Sequence, residues 1–248
     1  MKKNILVIGE SCYDIFIYGN SSRLAPEAPV PVFCSLTSST TLGMAGNVFT
    51  NLKSICKHNI QLKSCSNWKS VTKTRYIDDA SNHMFIRIDE KDDAFSRIDL
   101  VDIDLAKYDA IIISDYNKGF LREKDIEYIT TNHPLTFLDT KKVIGEWAIN
   151  AAYIKLNTYE SKYNVPIHIA ELIHDKLIST HGPDGCFFMG EQFPVKKVEI
   201  KDVAGAGDTF LAALVCEYLE DNNIRDAIIA GNRAATNVVQ HRGVSVPK

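Results

Sequence analysis

No basic run, no paired-cysteine motif and no long apolar stretch occurs in this chain of 248 residues. Lysine and arginine are spread along it and the formal net charge is -3, which excludes an obvious nucleic-acid stripe or a polybasic membrane patch. The six cysteines (Cys12, Cys34, Cys56, Cys65, Cys186, Cys216) show no CxxC pair and no histidine at zinc-site spacing. Most lie in apolar stretches and read as small buried hydrophobes of a reducing compartment. After Met1-Lys2-Lys3 only Ile5 to Ile8 forms an apolar run before Gly9. That is too short for a signal-peptide core or a membrane span, so the expected location is the cytoplasm. No G-x-G-x-x-G follows Gly9, which argues against a dinucleotide-binding dehydrogenase. Internal repeats and low-complexity segments are missing too.

What is present is enough apolar content, 45%, to bury the core of one large α/β domain. Ile5 to Ile8 reads as a buried parallel strand, and Asp14 to Tyr18 and Val30 to Leu36 as further strands. Between them the three prolines of Arg23 to Pro31 forbid a helix and impose an extended loop. Helical spacing begins near Met44 and runs to Ile55. Strict alternation in His83 to Asp89 predicts a half-exposed strand, paired with Lys73 to Asp78 across Asp79-Ala80-Ser81-Asn82. Such a ribbon does not belong in a buried parallel sheet and is expected to project as a lid. The second half alternates strand and helix. Strands are expected at Ala110 to Ser114, Leu135 to Asp139, Tyr153 to Leu156 and Lys176 to Thr180, and a hairpin around Pro183 to Gly185. Helices are expected at Glu123 to Thr130, Ala206 to Leu219 and Ile224 to Gln240. This pattern implies a mostly parallel sheet covered on both faces, with ligands at the carboxyl ends of its strands. Asp115, Asp139, Asn157 and Thr180 occupy such ends.

Gly205-Ala206-Gly207-Asp208 opens an apolar-periodic helix. Small residues at a helix start leave amides accessible to an anion, and the helix dipole adds to the attraction. Asp208 could take a proton from an attacking hydroxyl while those amides stabilise a transferring phosphoryl group. The same string serves equally as a glycine turn with a capping Asp.

The run Asp202-Val203-Ala204-Gly205-Ala206-Gly207-Asp208-Thr209-Phe210 resembles the C-terminal signature of the ribokinase-like (PfkB) carbohydrate kinases, with Ala204 where Thr or Ser is frequent. The resemblance implies a three-layer αβα sandwich with a small β-lid, residues 1–248 forming a single kinase domain with lid strands near 12–36 and 73–90. It makes Asp208 the general base and Gly205, Ala206 and Gly207 the anion hole. Gly43-Met44-Ala45-Gly46-Asn47 resembles the family's sugar-binding G-G-x-x-N, with Met44 in place of the second glycine. Asn157-Thr158-Tyr159-Glu160 fits N-x-x-E, in which Glu160 holds Mg²⁺ through water. Thr180, Gly182 and Gly185 match the T-x-G-x-x-G segment beside the nucleotide. Asn232 falls where the adenine pocket is lined, although the small residues around it suit tight helix packing equally.

Within the family, Ser22-Arg23-Leu24-Ala25-Pro26-Glu27-Ala28-Pro29-Val30-Pro31-Val32 resembles a segment of the heptose 7-phosphate kinases, as do Lys73-Thr74-Arg75, Arg87-Ile88-Asp89, Ser114 to Gly119 and Leu138 to Lys141. The implied reaction converts a heptose 7-phosphate to the 1,7-bisphosphate. The implied ligands are ATP, Mg²⁺ and a sugar phosphate, with room in the family for a monovalent cation and a homodimer through the lid. Asp14, Gly43 and Asn47 would meet the sugar, and Arg75, Arg87, Lys118 and Lys141 its phosphate. Each of those cations could instead be a solvated surface charge. Two departures stand out. Residues 54–72 are shorter than the family pattern, with Cys65 to Ser70 bridging the gap, and no adenylyltransferase domain is expected after the kinase. The rival readings are a kinase for an unphosphorylated sugar or nucleoside, and a degenerate sugar- or nucleotide-binding protein.

Overall fold

The computed structural model describes residues 2–93 and 95–247. In chain order the elements are β1 (Asn4–Gly9), β2 (Ser11–Asn20), β3 (Cys34–Met44), α1 (Ala45–Ile55), β4 (Asn59–Lys63), β5 (Thr72–Asp78), β6 (Met84–Glu90) and β7 (Ala110–Asp115). They continue with α2 (Glu123–Asn132), β8 (Thr136–Thr140), β9 (Tyr153–Asn157), α3 (Thr158–Tyr163), α4 (Ile167–Ile173) and β10 (Leu177–Thr180). The short strands β11 (Cys186–Phe188) and β12 (Glu191–Phe193) precede the last two helices, α5 (Ala206–Asp221) and α6 (Ile224–Val238).

Eight strands form one sheet in the order β12-β11-β10-β9-β8-β7-β1-β4. It is parallel from β4 to β10 and antiparallel at β11 and β12. Period-two alternation divides the apolar residues of β1 between the two faces. Leu6 and Ile8 join Ile111, Ile113, Ile126 and Ile173 on one side, while Ile5 and Val7 join Ile112, Leu52, Phe210, Leu214 and Ile228 on the other. Each fully buried Ile or Leu contributes about 1.5–3 kcal/mol. The result is the expected three-layer α/β sandwich.

A second, four-stranded sheet has the order β3-β2-β5-β6. Its strands include the alternating pair anticipated for the lid. Several details correct the expectations. The strand expected from Val30 starts only at Cys34 and runs on to Met44, because Pro29 and Pro31 deny the ladder their N–H groups. The segment around Cys65 does not bridge residues 54–72 directly: β4 lies within it and pairs with β1 as the edge of the main sheet. Helices α3 and α4 are too short to show a period. Cys56 and Cys216 are disulfide-bonded, tying the end of α1 to α5, where unpaired thiols were expected. No helix among the described residues is long and apolar enough to cross a membrane.

Candidate active site

The carboxyl ends of the main strands, the start of α1, the start of α5 and the inner face of the second sheet meet around a cavity of about 380 Å³. Eight of the residues singled out by sequence line it: Asp14, Asn47, Arg75, Arg87, Lys118, Lys141, Gly205 and Asp208.

Asp208 occupies the first turn of α5 and is 7% exposed. Both its oxygens are engaged. Asn47 Nδ2 donates to Oδ2 at 2.8 Å and the Tyr116 hydroxyl to Oδ1 at 3.0 Å. Burial pushes the carboxyl up to about 6, against the Asn47 hydrogen bond, with the Asp139 charge adding to the rise and Lys155 and Tyr116 opposing it. A carboxylate accepts at about four lone-pair sites, so two capped sites still leave room for a substrate hydroxyl. Gly205 caps α5 with φ 77°, a left-handed conformation that favours glycine. A Cβ there would also come within 2.6 Å of Asn47 Nδ2. Ala206 and Gly207 complete the turn, and the Ala206 amide donates to the Val203 carbonyl at 3.2 Å. Asp202 organises the approach by accepting from the Ala204 and Gly243 amides.

Charge pairing dominates the rest of the cavity. Arg75 on β5 donates to Asp14 on β2 at 2.5 Å. Gly43 faces that pair, since a Cβ would lie 2.3 Å from Asp14 Oδ2. Arg87 on β6 makes two bonds of 2.6 Å to Asp89, whose carboxyl it holds well below the usual range. Asp92 bridges Lys73 of the second sheet and Lys118 of the main-sheet side, each at 2.6 Å. Lys141 contacts Glu160 and lies 3.8 Å from Asp139 Oδ1. Despite burial, those two carboxylates hold its ammonium above the ordinary value.

The Asn157–Glu160 element forms a reciprocal cap on α3: Asn157 Oδ1 accepts from the Glu160 amide and Glu160 Oε2 from the Asn157 amide, both at 2.9 Å. Asn157 and Thr180 are register partners at the ends of β9 and β10. Gly182 and Asn232 line a second cavity of about 280 Å³ together with Ala206, which shares the lining residues Val195, Val198 and Thr236 with a groove of about 700 Å³ beside α6. Asn232 Nδ2 donates to the Phe193 carbonyl at 2.8 Å, so it ties α6 to the end of β12. Gly185 is not among the residues lining these two cavities. Its φ of 81° and its approach to the Phe193 carbonyl account for glycine.

No cluster of three or more carboxylate, histidine or cysteine ligands exists among the described residues. Glu160 and Asp139 nevertheless fit Mg²⁺, which keeps most of its water and binds through one or two carboxylates plus phosphate oxygens. Asp139 Oδ1 is buried with no hydrogen-bond partner, and Lys155 and Lys141 hold that carboxyl below its ordinary value in spite of burial.

Sequence reasoning missed Tyr116, Lys155, Asp92 and Glu10 as contributors. Lys155 is buried, donates to Asp139 at 2.7 Å and lies 3.0 Å from where a Gly207 Cβ would be. Glu10 accepts from the amides of Tyr116, Lys118 and Phe120 at 2.9, 3.0 and 3.3 Å. A buried acid ending an apolar strand was the available signal for Glu10. The strand-end Asp115, by contrast, is committed to Thr140 and Lys142 away from the cavity.

Residues 129–248 match the pfkB family carbohydrate kinase pattern. Over the whole chain, the bifunctional protein HldE of Helicobacter pylori (strain J99) is 30% identical across 97% of this chain and 64% of its own length. The HldE of a Nitratiruptor species is 29% identical across 99% and 63%. The chain thus spans just under two thirds of these curated relatives. The alignment with the first runs over 295 positions, longer than this chain, so gaps open within it. Among solved structures, the ribokinase of Thermotoga maritima superposes with a TM-score of 0.71 at 16% identity, covering 98% of this chain and 94% of that one. The Arabidopsis thaliana ribokinase complexed with ribose and ATP gives 0.70 at 14%, covering 98% and 94%.

Proposed function

We propose that this chain, whose residues 129–248 match the pfkB family carbohydrate kinase pattern and whose fold is ribokinase-like, transfers the γ-phosphoryl group of ATP to a hydroxyl of a phosphorylated sugar, a heptose 7-phosphate being converted to the 1,7-bisphosphate in the cytoplasm. The observation that carries the reading is Asp208, a buried carboxylate of raised pKa at a helix start, facing a cavity with five cations. The acceptor hydroxyl donates to Asp208, which removes its proton as the oxygen attacks. The α5 N-terminus and Lys155 lie where charge on the transferring group develops, so the residues act by position and electrostatics. Glu160 and Asp139 would hold Mg²⁺, which would neutralise phosphate charge when bound. ATP occupies the groove between Gly182 and α6. HldE relatives and the proline-rich Arg23–Val32 string support the heptose acceptor.

A second reading is favoured by the pairing of the cavity cations with carboxylates: Asp14, Asp89 and Asp92 already occupy Arg75, Arg87, Lys73 and Lys118. A cavity so nearly neutral suits an unphosphorylated sugar. ADP release over sedoheptulose 7-phosphate, heptose 7-phosphates, hexose phosphates and free sugars separates the two, and release with none of them removes the kinase reading. Asp208→Asn should still bind ATP and lose turnover by roughly 10³-fold or more, the scale of an essential general base and its oriented hydroxyl. Two copies are proposed to pair through the outer face of the β6 edge strand, which sedimentation checks.

A further inference from the structure

We infer that Tyr116 is a positioning residue for phosphoryl transfer, its hydroxyl orienting the Asp208 carboxylate and stabilising its charged form while its ring carries Lys141. This rests on the reading of Asp208 as the base. Tyr116 belongs to the loop after β7, whose backbone is anchored by side-chain hydrogen bonds. Glu10, just after β1, accepts from the amides of Tyr116, Lys118 and Phe120, and the Lys118 ammonium is held by Asp92. From that anchored backbone the phenol reaches across 92 positions of sequence to Asp208 Oδ1 at 3.0 Å. The other face of the contact is equally defined: Lys141 Nζ stands 5.5 Å from the centre of the Tyr116 ring, and Lys141 contacts Glu160. One side chain therefore touches both the base and the cation beside the phosphate-binding end.

The hydroxyl acts as a donor here. Burial and the Asp208 charge raise the phenol well above its ordinary value, so it keeps its proton and lends it to the carboxylate. Hydrogen bonds to the ionised form of an acid favour that form. Around Asp208 the charged and polar groups are Asn47 from α1, Asp139 from β8, Lys141 after it, Lys155 from β9 and Tyr116 itself. Asp139 opposes ionisation, Lys155 and Lys141 favour it, and Tyr116 and Asn47 supply the two direct donors. The more distant cavity cations Arg75 and Lys118 are paired with Asp14 and Asp92. Removing the Tyr116 hydroxyl deletes one of two donors and leaves every charge in place.

Tyr116→Phe isolates that hydroxyl, because the ring that supports Lys141 remains. The first readout is the titration of the Asp208 carboxyl by NMR with ¹³C-labelled aspartate, its resonance assigned by its loss in Asp208→Asn. The wild-type midpoint is expected near 6, and the variant's about one pH unit higher, the scale of one hydrogen bond to a charged group. The second readout is turnover with the acceptor found in the ADP screen. The acidic limb of kcat should move upward by the same interval, giving a roughly tenfold deficit below pH 6 that narrows above pH 8, with KM for ATP within about twofold of wild type. If Tyr116→Phe fails to fold, 3-fluorotyrosine incorporated at position 116 makes the phenol a stronger donor and should move the midpoint the other way. Unmoved midpoints, or an equal loss of turnover at every pH, would overturn the assignment. The titration needs no acceptor, so a chain that phosphorylates nothing fails as a kinase without deciding this measurement.

Discussion

At the scale of the residue, Asp208 shows how burial is set against function. Its carboxyl is held near 6, above the ordinary 3.8, so the folded state favours the protonated form. The stabilisation this gives is fully present below about pH 4 and is lost as pH rises through 6. At neutral pH the ionised carboxylate therefore costs the fold about 1–3 kcal/mol, since each tenfold change in proton affinity is worth roughly 1.4 kcal/mol. Asp208→Asn should raise stability by that amount at pH 7.5 and by almost nothing at pH 4, as read from urea unfolding at the two pH values. An equal effect at both would mean that ionisation is not the cause. Asp208 itself was legible in the sequence because its neighbours Gly205 and Gly207 stand beside it in a short string. Tyr116 and Lys155 were not, because their partners lie 92 and 16 positions away.

Among the elements, the loop after β7 depends most on one side chain. Glu10 accepts three backbone amides there, and a buried N–H left unpaired costs about 1–3 kcal/mol. Glu10→Ala should lower stability by about 2–4 kcal/mol, allowing for water entering the space, and reduce turnover more than ATP affinity, since the loop carries Tyr116 and Lys118 to the cavity around Asp208. Denaturant unfolding and calorimetric ATP binding measure the two effects. A variant as stable as wild type would show that the loop holds itself. The strongly patterned elements β1, β7, α5 and α6 were readable from their apolar spacing. β4 was not: in Asn59-Ile60-Gln61-Leu62-Lys63 only two residues are apolar, and only its neighbour β1 makes it a strand. The Asn157–Glu160 pair was readable as a motif, but its reciprocal cap on α3 appears only once β9 and α3 are joined.

Taken whole, the molecule sets a covered sheet beside a smaller one whose outer side is open. On β6, Met84, Ile86 and Ile88 alternate and are 48%, 54% and 42% exposed, and β6 ends the four-stranded sheet. An edge strand with an apolar face is a template for pairing with another chain. If two copies pair there, Ile86→Asp should convert a dimer to a monomer in sedimentation equilibrium. A monomeric wild type, or a variant that stays dimeric, would remove the proposal. The same sheet brings Arg75, Arg87 and Asp89 over the cavity, and Asp92, just beyond β6, joins it to Lys118.

Local chemistry was determined by the sequence alone: where strands and helices alternate, where prolines prevent a ladder, and which glycine turn opens a helix. These follow from backbone sterics and side-chain periodicity over a few residues. The tertiary structure decided the ionisation and the pairing. Asp208 rises toward 6 only because α1, α5 and three strand ends exclude water around it. Arg75, Lys73 and Lys118 acquire carboxylate partners from other elements only when β2, β5, the segment after β6 and the loop after β7 converge. Desolvation and Coulomb interactions depend on distance in space, and the Gly205–Asp208 turn becomes a candidate base site when Asn47 and Tyr116 reach it from remote parts of the chain.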